Sequence, residues 1–163
     1  MMCESNQMGE GIKIKTHPAP AWRDKADFLV HAKVEDSTAL LEQLWVRQIT
    51  ENRFEICCIP FFVYDLALGD EVETSQEGDM QYVVQSVISR SGHYTFRIWL
   101  GDSLAPDICG HIAAELTRLG STIEWYSNLL LAADAVTASQ AEIVANFLWN
   151  EEQKGRLIYE TGR

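Results

Sequence analysis

The sequence has no CxxC pair, no two histidines three or four residues apart, no long apolar run near its start, and no Lys or Arg between Arg53 and Arg90. Each absence excludes something. Zinc-protease helices carry histidines at helical spacing, so the scattered His17, His31, His93 and His111 raise no expectation of a metal or other cofactor. Cys57 and Cys58 are adjacent and would point to opposite sides of a strand; with Cys3 and Cys109 they read as reduced thiols in a reducing compartment. A secretory signal needs an apolar core of at least about seven residues. None occurs before residue 28, so the expectation is a cytoplasmic protein with no membrane contact.

The missing bases shape the charge. The net charge is -11, with seven bases against eight acids up to Arg53 and six against sixteen from Phe54 onward. The base-free span holds Glu55, Asp65, Asp70, Glu71, Glu73, Glu77 and Asp79. Nucleic-acid binding replaces counterions with Lys and Arg, so such a surface would repel a duplex and attract a basic protein instead. An acidic surface that only keeps the chain soluble is the plainer alternative.

What is present is enough for a core: 163 residues, 47% of them apolar, fill one domain or two small packed halves without metals or disulfides. Residues 1–27, with Pro18 and Pro20 and no sustained period, read as an arm lying over the fold. Residues 28–92 read as a β-rich subdomain of five short strands, "FLVHAKV", "EQLWVRQI", "RFEICCI", "DEVETS" and "YVVQSVI", turning at "TENR" and "QEGD". Short strands with tight turns suggest a small antiparallel β-barrel or curled sheet.

Residues 93–163 change rhythm to strand, helix, strand, strand, helix, strand. "YTFRIWL" alternates, with Tyr94, Phe96, Ile98 and Leu100 on one face and Thr95, Arg97 and Trp99 on the other. Pro106 opens a helix with the stripe Ile108, Ile112, Ala113, Leu116 and Leu119, which Gly120 closes. Ser139 and Glu142 match a capping box, before a helix expected to bury Ile143, Val144, Phe147 and Leu148. Trp45, Trp125 and Trp149 are expected to fill core. The expected fold is α+β, with the β-rich half packed on a ferredoxin-like βαββαβ half. Either the β-rich half or a ligand would cover the sheet face that carries Arg97.

Three segments hold candidate chemistry. In "CIPFFVYDLALGDEV", Leu68-Gly69-Asp70 reads as a turn with a left-handed glycine and an aspartate bonded to its own backbone; Asp65 and Asp70 as paired acid–base carboxylates is the sharper alternative. In "SRSGHYTFR", Ser91, His93 and Arg97 could converge on an anion, or form only a hairpin turn with a salt-bridged arginine. Cys109 lies near a helix start with His111 two residues on, where the two side chains diverge.

Pro60-Phe61-Phe62, Leu68 to Asp70, Ser91-Gly92 with Thr95 and Arg97, and Tyr159-Glu160 resemble a bacterial family catalogued as domain of unknown function 4265, over residues 28–162. The arm falls outside the pattern. The resemblance implies small cytosolic bacterial proteins and brings no established activity, cofactor or catalytic residue. Two functions remain open. One is a non-enzymatic interaction module, most concretely an immunity protein that neutralises a basic toxin such as a nuclease, with Asp65, Asp70, Glu71, Glu73, Glu77 and Asp79 as partner-binding residues. The alternative is a small-anion ligand-binding protein or enzyme using the crevice between the halves, with Ser91, His93 and Arg97 as contacts.

Overall fold

The computed structural model describes residues 11–37, 39–101 and 105–162; Cys3 lies outside them. The first sheet is built from β1 (Lys13–Lys15), β2 (Phe28–Lys33), β3 (Leu40–Gln48), β4 (Arg53–Ile56), β5 (Glu71–Glu77) and β6 (Met80–Ser89). Its order is β1-β3-β2-β6-β5-β4, and β4 also pairs with β3, so the sheet curls until five strands form a ring. The closure follows from side-chain parity. Val30, Leu44, Val46, Phe54, Ile56 and Val72 alternate inward along their strands and bury one another. Phe28 stacks on Phe54 with ring centroids 5.0 Å apart, and Tyr82 meets both edge-on.

The second sheet contains β7 (Tyr94–Trp99), β8 (Thr122–Trp125), β9 (Leu130–Ala135) and β10 (Ile158–Gly162), with α1 (Pro106–Arg118) and α2 (Ala138–Gln153) between them. Its order is β10-β7-β9-β8, every pair antiparallel. Phe96, Ile98, Leu131 and Ala133 pack against Ile112, Leu116, Val144 and Leu148, so both helices cover one face. The other face carries two polar rows fixed by the register. One is Glu124–Ala132–Arg97–Glu160 and the next is Thr122–Asp134–Thr95–Gly162. The β-rich half covers this face: Ile59, Phe61 and Leu68 pack on Ala132.

Several expectations need correction. The arm does more than lie over the fold: β1 pairs in parallel with β3, and His17 is 3% exposed, between the two halves. The strand expected through Cys57 to Ile59 ends at Ile56, where the chain leaves the ring for the second sheet. The cap of α2 is Thr137, whose hydroxyl accepts from the Gln140 N–H at 3.1 Å while Gln140 Oε1 accepts from Val136 N–H at 2.7 Å. This box sits two residues before the Ser139–Glu142 pattern. Along the helix, Ala141, Val144, Leu148 and Glu151 are buried while Ile143 and Trp149 face outward. Tyr94 and Trp99, at the two ends of β7, are exposed for want of neighbours beyond the sheet.

Thr137→Ala should therefore cost about 1 kcal/mol of stability, whereas Ser139→Ala should stay within about 0.5 kcal/mol. Urea denaturation of both variants separates the two cap assignments.

Candidate functional site

The chain from Cys57 to Val63 runs buried between the two halves in no strand, and its backbone donors need partners. Pro60 has none to offer. Cys57 N–H still donates to Trp45 O on β3 at 2.8 Å, and the N–H groups of Ile59, Phe61, Phe62 and Val63 are met by two carboxylates. Glu42 on β3 accepts from the N–H groups of Phe61 at 2.7 Å, Phe62 at 3.0 Å and Val63 at 2.8 Å. Glu124 on β8 accepts from Ile59 N–H through Oε2. His17 then joins the two glutamates, Nδ1 to Glu124 Oε1 and Nε2 to Glu42 Oε1, each at 2.8 Å, with its ring stacked on Phe61.

Both ring nitrogens face acceptors, and only an imidazolium donates from both. Burial alone would lower the His17 pKa. The Cys58 sulfur and the hydrogen bonds to Glu124 and Glu42 outweigh it and push the value up to about 12. Burial also drives the Cys58 thiol upward. All three residues are shut away from solvent, so the cluster joins arm, ring and second sheet and reaches no substrate.

The same seam contains a second pair at its rim. His93 Nδ1 lies 2.8 Å from Asp134 Oδ2, with Trp22 edge-on to the imidazole. Burial raises the Asp134 pKa to about 6 despite the opposing pull of His93. Arg97 Nη2 donates to Val63 O, and its guanidinium lies 4.7 Å from the centroid of Tyr64, whose hydroxyl donates to Glu160.

Ser91 Oγ accepts from His93 N–H at 3.2 Å, but the three side chains do not converge on one point. Ser91 Oγ donates to Leu68 O at 2.7 Å, His93 goes to Asp134 and Arg97 to Val63, so three different partners take the three side chains. Asp65 and Asp70 are no acid–base pair either, because Arg90 clamps both. Asp70 is buried and closes the turn, accepting from Ala67 N–H and Ser91 N–H, with Gly69 at φ +85°. Glu77 pairs with Lys33, and Glu55 with Lys25 and Arg47. The span is base-free in sequence only. Of the six acidic candidates, Glu71, Glu73 and Asp79 have no cationic partner among the described residues. Among those residues, no group of three His, Cys, Asp or Glu side chains could hold a metal ion. Cys109 instead lines a groove of about 620 Å³ with Pro106, Trp125 and Leu129.

Sequence reasoning missed His17, Glu42, Glu124 and Asp134. Parity would have found Glu42, which shares its face of β3 with the buried Leu44 and Val46. A carboxylate in core phase demands a buried partner.

The arrangement is that of an α+β protein with two sheets joined through a buried charged seam. The family model for Domain of unknown function (DUF4265) matches residues 42–159, and the chain belongs to that family. A crystal structure described as that of a hypothetical protein from Neisseria gonorrhoeae is similar, with a TM-score of 0.66 at 22% identity. The match covers 82% of this chain and 94% of that one. No curated protein matches. Among the described residues, no helix is long and apolar enough to cross a membrane.

The seam gives a pH prediction. His17 has a folded pKa above its unfolded value of 6.5, so its contribution is fully present below about pH 6.5 and is lost as pH rises toward about 12. The stability difference between wild type and His17→Gln should shrink with rising pH, by up to about 1.4 kcal/mol per pH unit. Chemical denaturation at pH 6, 8 and 10 measures it, and a constant difference would remove the imidazolium. Glu42→Ala should cost about 3–5 kcal/mol, because it strands three backbone donors and a buried cation.

Proposed function

We propose that the protein is a non-enzymatic, acidic protein-interaction module, most concretely an immunity protein of the bacterial cytoplasm that neutralises a basic toxin, such as a nuclease, by occlusion. The observation that carries this reading is a groove of about 520 Å³ where the β5–β6 turn meets β1 and the start of β3. Ile12, Leu41, Met80 and Val83 form its apolar walls, and its charged lining residues are Asp79 and the ion pair of Glu77 with Lys33. An apolar centre with charged groups around it is the anatomy of a protein interface. Glu71 and Glu73, outward-facing on β5, extend the acidic surface away from the groove. Their potential would steer a cationic partner while the apolar walls supply contact. We also read the second half as ferredoxin-like, supported by its element order and antiparallel pairing with both helices on one face.

The test is purification from the native host followed by charge reversal. Wild type should retain a basic protein whose association slows with added salt, and the Glu71→Lys, Glu73→Lys, Asp79→Lys triple variant should slow association at least about tenfold with its melting temperature kept. If the protein elutes alone, and its deletion leaves the toxicity of neighbouring gene products unchanged, the proposal fails.

A further inference from the structure

The ring of the first sheet closes unevenly. β2 and β6 run parallel but share a single pair in register, His31 with Val83. β2 ends at Lys33, where the chain turns back toward β3 and Val34 N–H donates to Leu40 O at 3.0 Å. β6 continues to Ser89, paired along its other edge with β5 as far as Glu71. From Gln85 to Ser89, one edge of β6 therefore has no strand beside it among the described residues. The gap is a cleft of about 440 Å³, lined by Lys33 and Asp36 after β2, by Gln85 and Ser86 on β6, and by Tyr64 and Asp65 of the connecting chain.

Unpaired edges recruit other strands, and proteins usually blunt them with charge or proline. The run Gln85-Ser86-Val87-Ile88-Ser89 has neither, and Ile88 is 40% exposed. The charges around the cleft set the chemistry of an occupant. Lys33 Nζ is held by Glu77 at 2.7 Å, and Arg90 by Asp65 and Asp70, so both bases are already neutralised. Glu35 and Asp36 have no ion-pair partner among the described residues. The hydrogen bond to Glu160 raises the Tyr64 pKa and the Glu35 charge adds to it, which sets Glu35 beside the cleft as well. Carboxylates thus outweigh bases here. Glu35, Asp36 and Asp65 are also the non-glycine residues with left-handed backbone among the described ones, at φ +53°, +57° and +62°, a costly conformation that is often kept at ligand clamps.

We propose that the open edge of β6 binds an extended basic peptide segment by strand addition. The peptide backbone pairs with Gln85 to Ser89, along the path a longer β2 would have followed, and its Lys or Arg side chains reach Glu35 and Asp36. This is a second site, separate from the groove beside the β5–β6 turn, and it stands whether or not that groove holds a toxin.

An NMR titration of the isotope-labelled full chain with acetyl-Lys-Val-Lys-Val-Lys-Val-amide tests it. Saturable shifts should appear at the amides of Gln85 to Ser89 and of Lys33 to Asp36, with slowed hydrogen exchange along β6. The same peptide with alternate amides N-methylated loses the donors of one edge and should bind about tenfold more weakly, as should the peptide with Glu in place of Lys. Glu35→Asn combined with Asp36→Asn removes both charges while keeping side chains that accept the left-handed backbone, and should weaken the lysine peptide about tenfold. No saturable binding, shifts confined to the groove of Ile12, Leu41 and Met80, or equal affinity for the N-methylated peptide would overturn the proposal. The comparison among peptides uses the wild-type chain alone, so it decides the matter even if the double variant fails to fold.

Discussion

Four backbone N–H groups, those of Ile59, Phe61, Phe62 and Val63, lie buried between two sheets with no strand to pair with, and two glutamates satisfy all four. The glutamates come from opposite halves, Glu42 from the ring and Glu124 from the second sheet. Each is a buried carboxylate with a large desolvation cost, which the backbone donors offset only in part. His17 supplies the positive charge that completes the cluster. The arm, the ring and the second sheet thus share one set of hydrogen bonds, and neither half presents its seam face without the other.

That constraint explains the chain path. A strand continuing through Cys57 would have extended the ring; instead the backbone turns out at Ile56 and crosses the neighbouring sheet with Pro60 at the one place where no donor is needed. The segment Cys58 to Val72 is accordingly a corner and a strap together. Its Leu68-Gly69-Asp70 end is the expected turn, while its Ile59–Val63 end is packing surface for Ala132 and an anchor for Arg97.

Periodicity made much of this legible. The alternation of β7, the Pro106 start and Gly120 end of α1, and the Gly78 hairpin are local signals, each fixed by a few neighbouring residues. The α+β class follows from them; the family resemblance rests instead on motifs such as Pro60-Phe61-Phe62 and Leu68 to Asp70, and the match over residues 42–159 bears it out. The seam was not legible because its members are 25 and 107 residues apart from His17, and nothing local marks their meeting. The Ser139–Glu142 pattern misled for a related reason: Thr137 and Gln140 offer the same chemistry two residues earlier, and the packing of Val144 and Leu148 selects that phase.

Charge shows how far sequence order departs from spatial order. The stretch from Phe54 to Ser89 contains no base, yet Lys25, Lys33, Arg47 and Arg90, from outside it, neutralise Glu55, Asp65, Asp70 and Glu77. Pairing cannot remove the surplus, because 24 acids face 13 bases and Arg97 is spent on a carbonyl in the interior. Part of the excess lies in the buried seam with Glu42 and Glu124, and part lies outside, where Glu71, Glu73 and Asp79 have no ion-pair partner among the described residues although Arg53 stands opposite Glu73 in the β4–β5 register. A cationic partner would meet that remainder and not the whole run of acids seen in the sequence. The electrostatic contribution of the face is then carried by a few carboxylates, and the apolar walls beside the β5–β6 turn have to supply the rest of any affinity.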